Sequence, residues 1–255
     1  MSTRITGIDS ARCWVVVPAA GVGRRMRSEI PKQYLPLADR TVLAHSLARM
    51  ATHPAVAEIV VVLAEGDPYW HHQTLDKVRC PVRTVTGGKE RSDSVLNGLQ
   101  ALADRARDND WVLVHDAARP CVRIGDIRRL IETCRADPVG GLLAIPVRDT
   151  MKQGDSNNRV KNTVPREQLW HALTPQMFRY RQLRDALRLA SEQGLAVTDE
   201  AMAMERTGQL PCLVEGHSDN IKITRPEDLA LAAYYLNAQD EQGLNLYDDD
   251  MLDGG

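Results

Sequence analysis

Residues 14–26 read Trp-Val-Val-Val-Pro-Ala-Ala-Gly-Val-Gly-Arg-Arg-Met, and this stretch decides the fold. Its first half is a continuous aliphatic run, too uniformly apolar for a strand with one wet face. It predicts a β-strand buried on both sides, as in parallel sheets. Its second half gives way to small residues and two glycines, the composition of a strand-to-loop turn whose backbone N–H groups can approach a phosphate closely. Two familiar phosphate loops are excluded. A P-loop needs Gly-Lys-Ser/Thr, which is absent, and a dinucleotide fingerprint needs a third glycine where Met26 stands. What remains is a glycine turn with built-in cations: Arg24, Arg25 and, shortly after, Lys32 in Pro31-Lys32-Gln33. Three like charges beside such a turn repel one another unless an anion arrives. A triphosphate whose leaving group must be neutralised fits that need; a solvated basic edge on a βα turn is the plainer reading.

The rest of the chain repeats the alternation. Residues 58–63, 82–86, 111–115 and 142–147 predict strands like the one at 14–19, while 41–51, 92–103 and 126–136 carry apolar residues at helical spacing. The order implies an α/β fold, a mostly parallel sheet with helices on both faces. Residues 178–193 and 199–206 predict further helices, and a last one starts at Thr224-Arg-Pro-Glu227, which has capping-box spacing. Residues 148–168 break the rhythm. Gly154, Asp155, Ser156, Asn157 and Asn158 separate polar strand-like segments at 149–153 and 159–164, predicting a β-hairpin arm that either meets a partner subunit or stays solvated. One domain is expected over residues 1–237; from 238 to 255 the chain has six acids and no base, and predicts a disordered acidic tail.

Composition excludes several classes. The 255 residues hold 32 Lys plus Arg against 34 Asp plus Glu, a net charge of −2, which is not the footprint of a nucleic-acid binder. With 43% hydrophobic residues the chain can build a full core, and 4% aromatics with one Phe predict an aliphatic one. Cys13, Cys80, Cys121, Cys134 and Cys212 form no CxxC pair and have no histidine at metal spacing, so they read as reduced thiols of a cytoplasmic protein without structural zinc. The longest apolar run, 14–22, is too short to span a membrane.

Three further motifs carry chemistry. Val114-His115-Asp116-Ala117-Ala118-Arg119-Pro120 ends the fourth strand, where ligands bind in open parallel sheets. Asp116 there either holds Mg²⁺, with Arg119 on a phosphate, or pairs with Arg119; spacing leaves both open. His115 reads as a packed strand residue. Gly87-Gly88-Lys89-Glu90-Arg91-Ser92-Asp93-Ser94 offers backbone groups to a nucleobase edge, or is a plain loop capped by Ser92 or Asp93. In Asp219-Asn-Ile-Lys222-Ile-Thr224, a lysine between isoleucines is costly without an anionic partner, which points to a phosphate. Thr198-Asp-Glu200 reads as a helix start with an acidic first turn.

Taken as a set, Pro-Ala-Ala-Gly-Val-Gly-Arg-Arg-Met, Pro-Lys-Gln-Tyr, Val-His-Asp-Ala-Ala-Arg-Pro, Val-Arg-Asp-Thr-Met-Lys, Trp-His-Ala-Leu-Thr-Pro-Gln and Asp-Asn-Ile-Lys-Ile-Thr-Arg-Pro-Glu-Asp-Leu resemble the 2-C-methyl-D-erythritol 4-phosphate cytidylyltransferase family of the non-mevalonate isoprenoid pathway. The resemblance runs over residues 14–236. It implies a Rossmann-like nucleotidyltransferase fold, a homodimer with exchanged β-arms, CTP and methylerythritol 4-phosphate as substrates, and Mg²⁺. It places Ala19, Ala20, Gly21, Gly23 and Ala117 around the nucleotide, with Arg25 and Lys32 on the triphosphate. Gly88 and Ser94 fall at the cytosine, and Lys222 at the reacting phosphate. Asp116, Arg119, Thr150, Arg166, Thr174 and Thr224 match positions around the acceptor, with Arg119, Thr150 and Arg166 coming largely from the neighbouring subunit. Asp116 and Asp219 are the metal candidates. Lys89 and Pro165 depart from the family pattern, standing where acidic residues are often found. A sibling enzyme acting on ribitol phosphate or another polyol phosphate, and a nucleotide sensor without turnover, are the competing readings.

Overall fold

The computed structural model describes residues 11–21, 28 and 30–244. The chain begins with strand Cys13–Pro18 (β1), a small hairpin of Pro36–Leu37 (β2) and Arg40–Thr41 (β3), and helix Val42–Met50 (α1). Strands Val56–Leu63 (β4) and Val82–Thr86 (β5) follow, then helix Arg91–Gln100 (α2), strand Trp111–Val114 (β6) and helix Ile124–Arg135 (α3). The second half holds strands Gly140–Pro146 (β7), Met151–Gly154 (β8), Val160–Val164 (β9) and Trp170–Arg179 (β10). It closes with helices Tyr180–Glu192 (α4) and Glu200–Arg206 (α5), strand Cys212–Glu215 (β11) and helix Glu227–Glu241 (α6).

Seven strands form the main sheet in the order β11-β7-β10-β6-β1-β4-β5. All neighbours are parallel except those of β10, which runs antiparallel between β6 and β7. The alternation of β1 explains the two-sided covering. Val15 and Val17 join Leu43 and Leu47 of α1 and Ile127 of α3 on one face. Trp14 and Val16 join Leu99 of α2 and Leu183 of α4 on the other. Each such side chain, fully buried, contributes about 1.5–3 kcal/mol. A third cluster, with Leu37, Ala118, Ile223 and Leu236, seats α6 beside the end of the sheet.

The structure adds to the sequence reading in three places. The sheet has seven strands where five were expected, because β10 and β11 join it. Thr174-Pro175 disguises β10, since proline cannot donate to a ladder; the strand accommodates it where the register with β7 shifts between Ala172 and Gln176. The core is also less aliphatic than composition suggested, with Trp111, Phe178 and Tyr180 among its largest fully buried side chains. Finally, α6 continues to Glu241, so the first residues of the stretch read as tail are helical; residues 245–255 lie outside the described residues.

Helix starts use local polar chemistry. Thr41 Oγ1 accepts the Ala44 N–H at α1. At α2 the capping residue is Glu90 rather than Ser92 or Asp93, and Asp93 Oδ2 accepts the Glu90 N–H at 3.1 Å. At α6 the acceptor is Asp228, whose Oδ2 takes the Thr224 N–H, the Thr224 hydroxyl and the Arg225 N–H. β8 and β9 pair antiparallel as a separate exposed hairpin. Its turn is set by Asp155 Oδ1, which accepts from the N–H of Asn157 and Arg159, with Asn158 left-handed at φ 58°.

Candidate active site

The carboxyl ends of β1, β5 and β6 open into a cleft of about 370 Å³. Its floor is Ala19, Ala20 and Gly21, continuing β1. The Ala19 N–H still donates to Val62 O at 2.8 Å, so the loop leaves the sheet only after that residue. Gln33, buried, then clamps it, its Nε2 donating to Ala19 O at 2.7 Å and Gly21 O at 3.2 Å. Small side chains leave the loop backbone open to a bulky anion.

The opposite wall is the turn into α2. The Gly88 N–H donates to Ser94 Oγ at 3.1 Å, and that hydroxyl donates to Glu90 O. A Cβ at Gly88 would collide with Asp93 Cβ, so the close turn requires glycine. Lys32, Lys222, Ala117 and Thr224 also line the cleft. Lys32 Nζ donates to Ile223 O at 2.7 Å, tying the first loop to the segment that carries Lys222.

Asp116 is the electrostatic centre. It is 6% exposed and faces three cations: Lys222 Nζ at 2.8 Å, Arg91 Nε at 3.2 Å and Arg119 Nε at 3.4 Å. Burial alone would raise its carboxyl, but Arg91, Lys222 and Arg119 outweigh that and hold it well below the usual carboxylate range. Arg91 in turn reaches Glu200, fully buried, at 2.6 Å. Burial would lower the Arg91 guanidinium, yet Glu200 and Asp116 raise it above the ordinary value. One arginine thereby fixes α2 to α5 and to the end of β6.

Behind Asp116 a hydrogen-bonded layer holds its backbone. The Asp116 N–H donates to Thr174 Oγ1 at 3.1 Å, and that hydroxyl lies 3.0 Å from His115 Nδ1. His115 Nε2 lies 3.1 Å from Arg119 O, an acceptor only, so the network assigns the proton to Nε2 and the Thr174 hydroxyl donates to Nδ1. Burial lowers the His115 value to about 4, so the ring is neutral. Arg119 donates to Asn220 O at 2.6 Å, and Asn220 Nδ2 to Thr174 O at 2.9 Å.

The residues read from the sequence therefore divide. Ala19, Ala20, Gly21, Lys32, Gly88, Ser94, Asp116, Ala117, Lys222 and Thr224 converge on the cleft. Thr174 and Arg119 are buried behind it, where they position Asp116. Arg119, which the resemblance assigns largely to the neighbouring subunit, donates to Asp116 and to Asn220 O of its own chain. Thr150 and Arg166 are exposed at the base of the β8–β9 hairpin, away from this cleft, and Arg166 donates to Arg148 O. Lys222 has its anionic partner in Asp116. Gly23 and Arg25 lie outside the described residues.

The metal candidates fare differently. Asp219 does not line the cleft; its Oδ2 accepts from Arg123 Nε at 2.7 Å and Gln239 Nε2 at 2.9 Å. Among the described residues no group of three or more His, Cys, Asp or Glu could hold a metal ion. Three residues were missed by the sequence reading. Gln33 and Arg91 were visible in their motifs without a stated role, and Glu200 was read only as a helix start.

The family model described as IspD, 2-C-methyl-D-erythritol 4-phosphate cytidylyltransferase, matches residues 13–238. The chain is 54% identical over 224 residues to the 2-C-methyl-D-erythritol 4-phosphate cytidylyltransferase of Vibrio parahaemolyticus serotype O3:K6 (strain RIMD 2210633), covering 88% of this chain and 95% of that one. Against the protein of that name from Hahella chejuensis (strain KCTC 2396) the identity is 50% over 232 residues, 91% and 96% of the two chains. Its structure is similar to the crystal structure of the Francisella tularensis enzyme of the same name, with a TM-score of 0.75 at 37% identity over 88% of this chain and 100% of that chain.

Proposed function

The chain belongs to the 2-C-methyl-D-erythritol 4-phosphate cytidylyltransferase family, and from that membership we propose how the cleft works. The protein is a cytidylyltransferase of the methylerythritol phosphate route to isoprenoids. It transfers a cytidylyl group from CTP to 2-C-methyl-D-erythritol 4-phosphate, giving 4-diphosphocytidyl-2-C-methyl-D-erythritol and pyrophosphate. The observation that supports the mechanism is the convergence of an open Ala19–Gly21 backbone with Lys32 and Lys222.

The acceptor phosphate is already an ionised nucleophile, so no general base is needed, and His115, buried and neutral, is not assigned that role. An acceptor oxygen attacks the α-phosphorus in line, and the bond from that phosphorus to the departing pyrophosphate breaks. Catalysis is then positioning and charge stabilisation. Ala19, Ala20, Gly21 and Ala117 seat the nucleotide, Gly88 and Ser94 face the cytosine, and Lys32 meets the triphosphate. Lys222 exchanges Asp116 for the reacting phosphate, and Arg91 with Arg119 keeps Asp116 ionised when Lys222 turns away. Arg25, outside the described residues, is assigned to the triphosphate with Lys32.

Mg²⁺ supplies neutralisation of phosphate charge when bound. Among the described residues there is no cage for it: two acidic residues, Glu90 and Asp116, line the cleft, and Asp116 already faces three cations. Such a site suits an ion held by phosphate oxygens and water, not by Asp219. Thr150, Arg166 and the β8–β9 hairpin are proposed to serve the acceptor pocket of a second copy in a homodimer, since both residues lie exposed away from their own cleft. The five cysteines are free thiols, which supports a cytoplasmic location, and no helix among the described residues is long and apolar enough to cross a membrane.

The test is purified protein with CTP, Mg²⁺ and methylerythritol 4-phosphate, following pyrophosphate, with ribitol phosphate as the competing acceptor. Release with the first and little with the second is expected. Release with ribitol phosphate alone would overturn the acceptor assignment.

A further inference from the structure

A second cavity, about 580 Å³, is larger than the cytidylyltransferase cleft and lies between α1, α6 and the loop through residues 76–79. None of its residues takes part in the chemistry described above. Its lining is mixed in character. Ala48, Ala51, Ile124 and Leu236 contribute apolar surface, and Arg49, Lys77 and Arg79 contribute cations.

The charges there are unevenly matched. Arg40 engages both Asp39 at 3.1 Å and Asp76 at 3.0 Å, so one guanidinium already holds two of the three lining carboxylates. Arg49 is 7% exposed, donates to a neutral acceptor, Gln239 Oε1, at 3.0 Å, and makes no ion pair among the described residues. Burial pulls its guanidinium below the ordinary arginine value, outweighing the opposing charges of Asp240 (which lines the same cavity), Cys121 and Asp219. A buried guanidinium on a neutral partner is an expensive arrangement that an incoming anion relieves. Lys77 and Arg79 stand exposed at the mouth, where they can draw such an anion in.

We propose that this cavity is a second ligand site, distinct from the cytidylyltransferase cleft, for a small amphipathic anion: a phosphate or carboxylate head on Arg49, Lys77 and Arg79, and a short apolar body against Ala48, Ala51, Ile124 and Leu236. Its volume lies within the range of small-molecule pockets, roughly 300–1,000 Å³. The inference stands apart from the reaction assigned above, because it uses none of the same side chains.

The experiment is an equilibrium titration of the full-length protein in saturating CTP, which keeps the catalytic cleft filled. The ligands are hexyl phosphate and hexanoate, with inorganic phosphate as the head group alone. Either amphiphile should bind, and inorganic phosphate should bind at least about tenfold more weakly than hexyl phosphate, because it leaves the apolar wall unused. Arg49→Gln and the double variant Lys77→Ala/Arg79→Ala should each weaken amphiphile binding by about tenfold or more. The double variant changes only exposed side chains, so it folds and should keep its cytidylyltransferase turnover even if Arg49→Gln does not fold. Undiminished binding to the double variant overturns the proposal. So does the failure of both amphiphiles to bind the wild-type protein, or equal affinity for inorganic phosphate and hexyl phosphate.

Discussion

Asp116 draws two guanidiniums and an ammonium around one buried carboxylate, and the arrangement is stable only while that carboxylate is charged. Asp116→Asn should therefore cost stability out of proportion to its size. It leaves Arg119 and Lys222 facing each other without a counter-ion, and losing one partner of a buried pair costs about 3–5 kcal/mol. A urea midpoint close to wild type would show that water or another group takes over the cations. Lys32→Ala should behave in the opposite way. It truncates a half-buried side chain that donates to Ile223 O; the fold should survive, but turnover should fall by about 10²–10³, as when other preorganised charge-stabilising donors are lost. Pyrophosphate release near the wild-type rate in a folded Lys32→Ala protein would remove Lys32 from the mechanism. Both residues were legible because each sits inside a compact motif whose chemistry is local. Glu200 was not, since its partner Arg91 is 109 positions away and only the packing of α5 on α2 brings them together.

Elements were legible where their period was clean and hidden where one residue broke it. The helices α1 and α3 and the strands β1, β4, β5, β6 and β7 follow directly from apolar spacing, whereas Thr174-Pro175 conceals the antiparallel strand β10, and β11, with Val214 its one buried residue, lacks the continuous apolar run of a two-sided strand. Helix α2 shows how packing can override local preference. Gly98 sits in its interior, where alanine would be favoured by about 1 kcal/mol on propensity alone. A Cβ there, however, would stand 2.6 Å from Val16 Cγ1 and 3.0 Å from Val62 Cγ2 on the strands beneath. The helix lies that close to the sheet because it has no side chain at this point. Gly98→Ala should thus destabilise by about 1–3 kcal/mol, the usual cost of overpacking a tight core. Thermal unfolding checks it: a rise in midpoint would mean α2 lifts off β1 and β4 without penalty.

For the molecule as a whole, near-neutral net charge concealed a cationic cleft. The same contrast between average and local environment governs its response to acid. His115 is fully buried, and its value is lowered to about 4; His53 is lowered to about 4 and His45 is lowered too, in each case first by burial. In all three the fold disfavours the protonated ring, most for His115 and His53, whereas an unfolded chain protonates them near pH 6.5. Between about pH 6.5 and 4 the unfolded state therefore binds more protons than the native one, and stability must fall as pH falls. From His115 alone the slope is about 1.4 kcal/mol per pH unit across that window, and above it the contribution is complete and flat. The carboxylates do not offset this loss, because Asp116, held far below its usual range by Arg91, Lys222 and Arg119, contributes stability that only begins to disappear once the pH drops through ordinary carboxylate values. Acid thus acts in two stages, histidines first and the Asp116 cluster afterwards. Urea midpoints measured at pH 8, 7, 6 and 5 should be level over the first pair and drop steadily over the second. A profile flat down to pH 5 would mean that these rings can protonate inside the fold, and that burial does not hold His115 neutral.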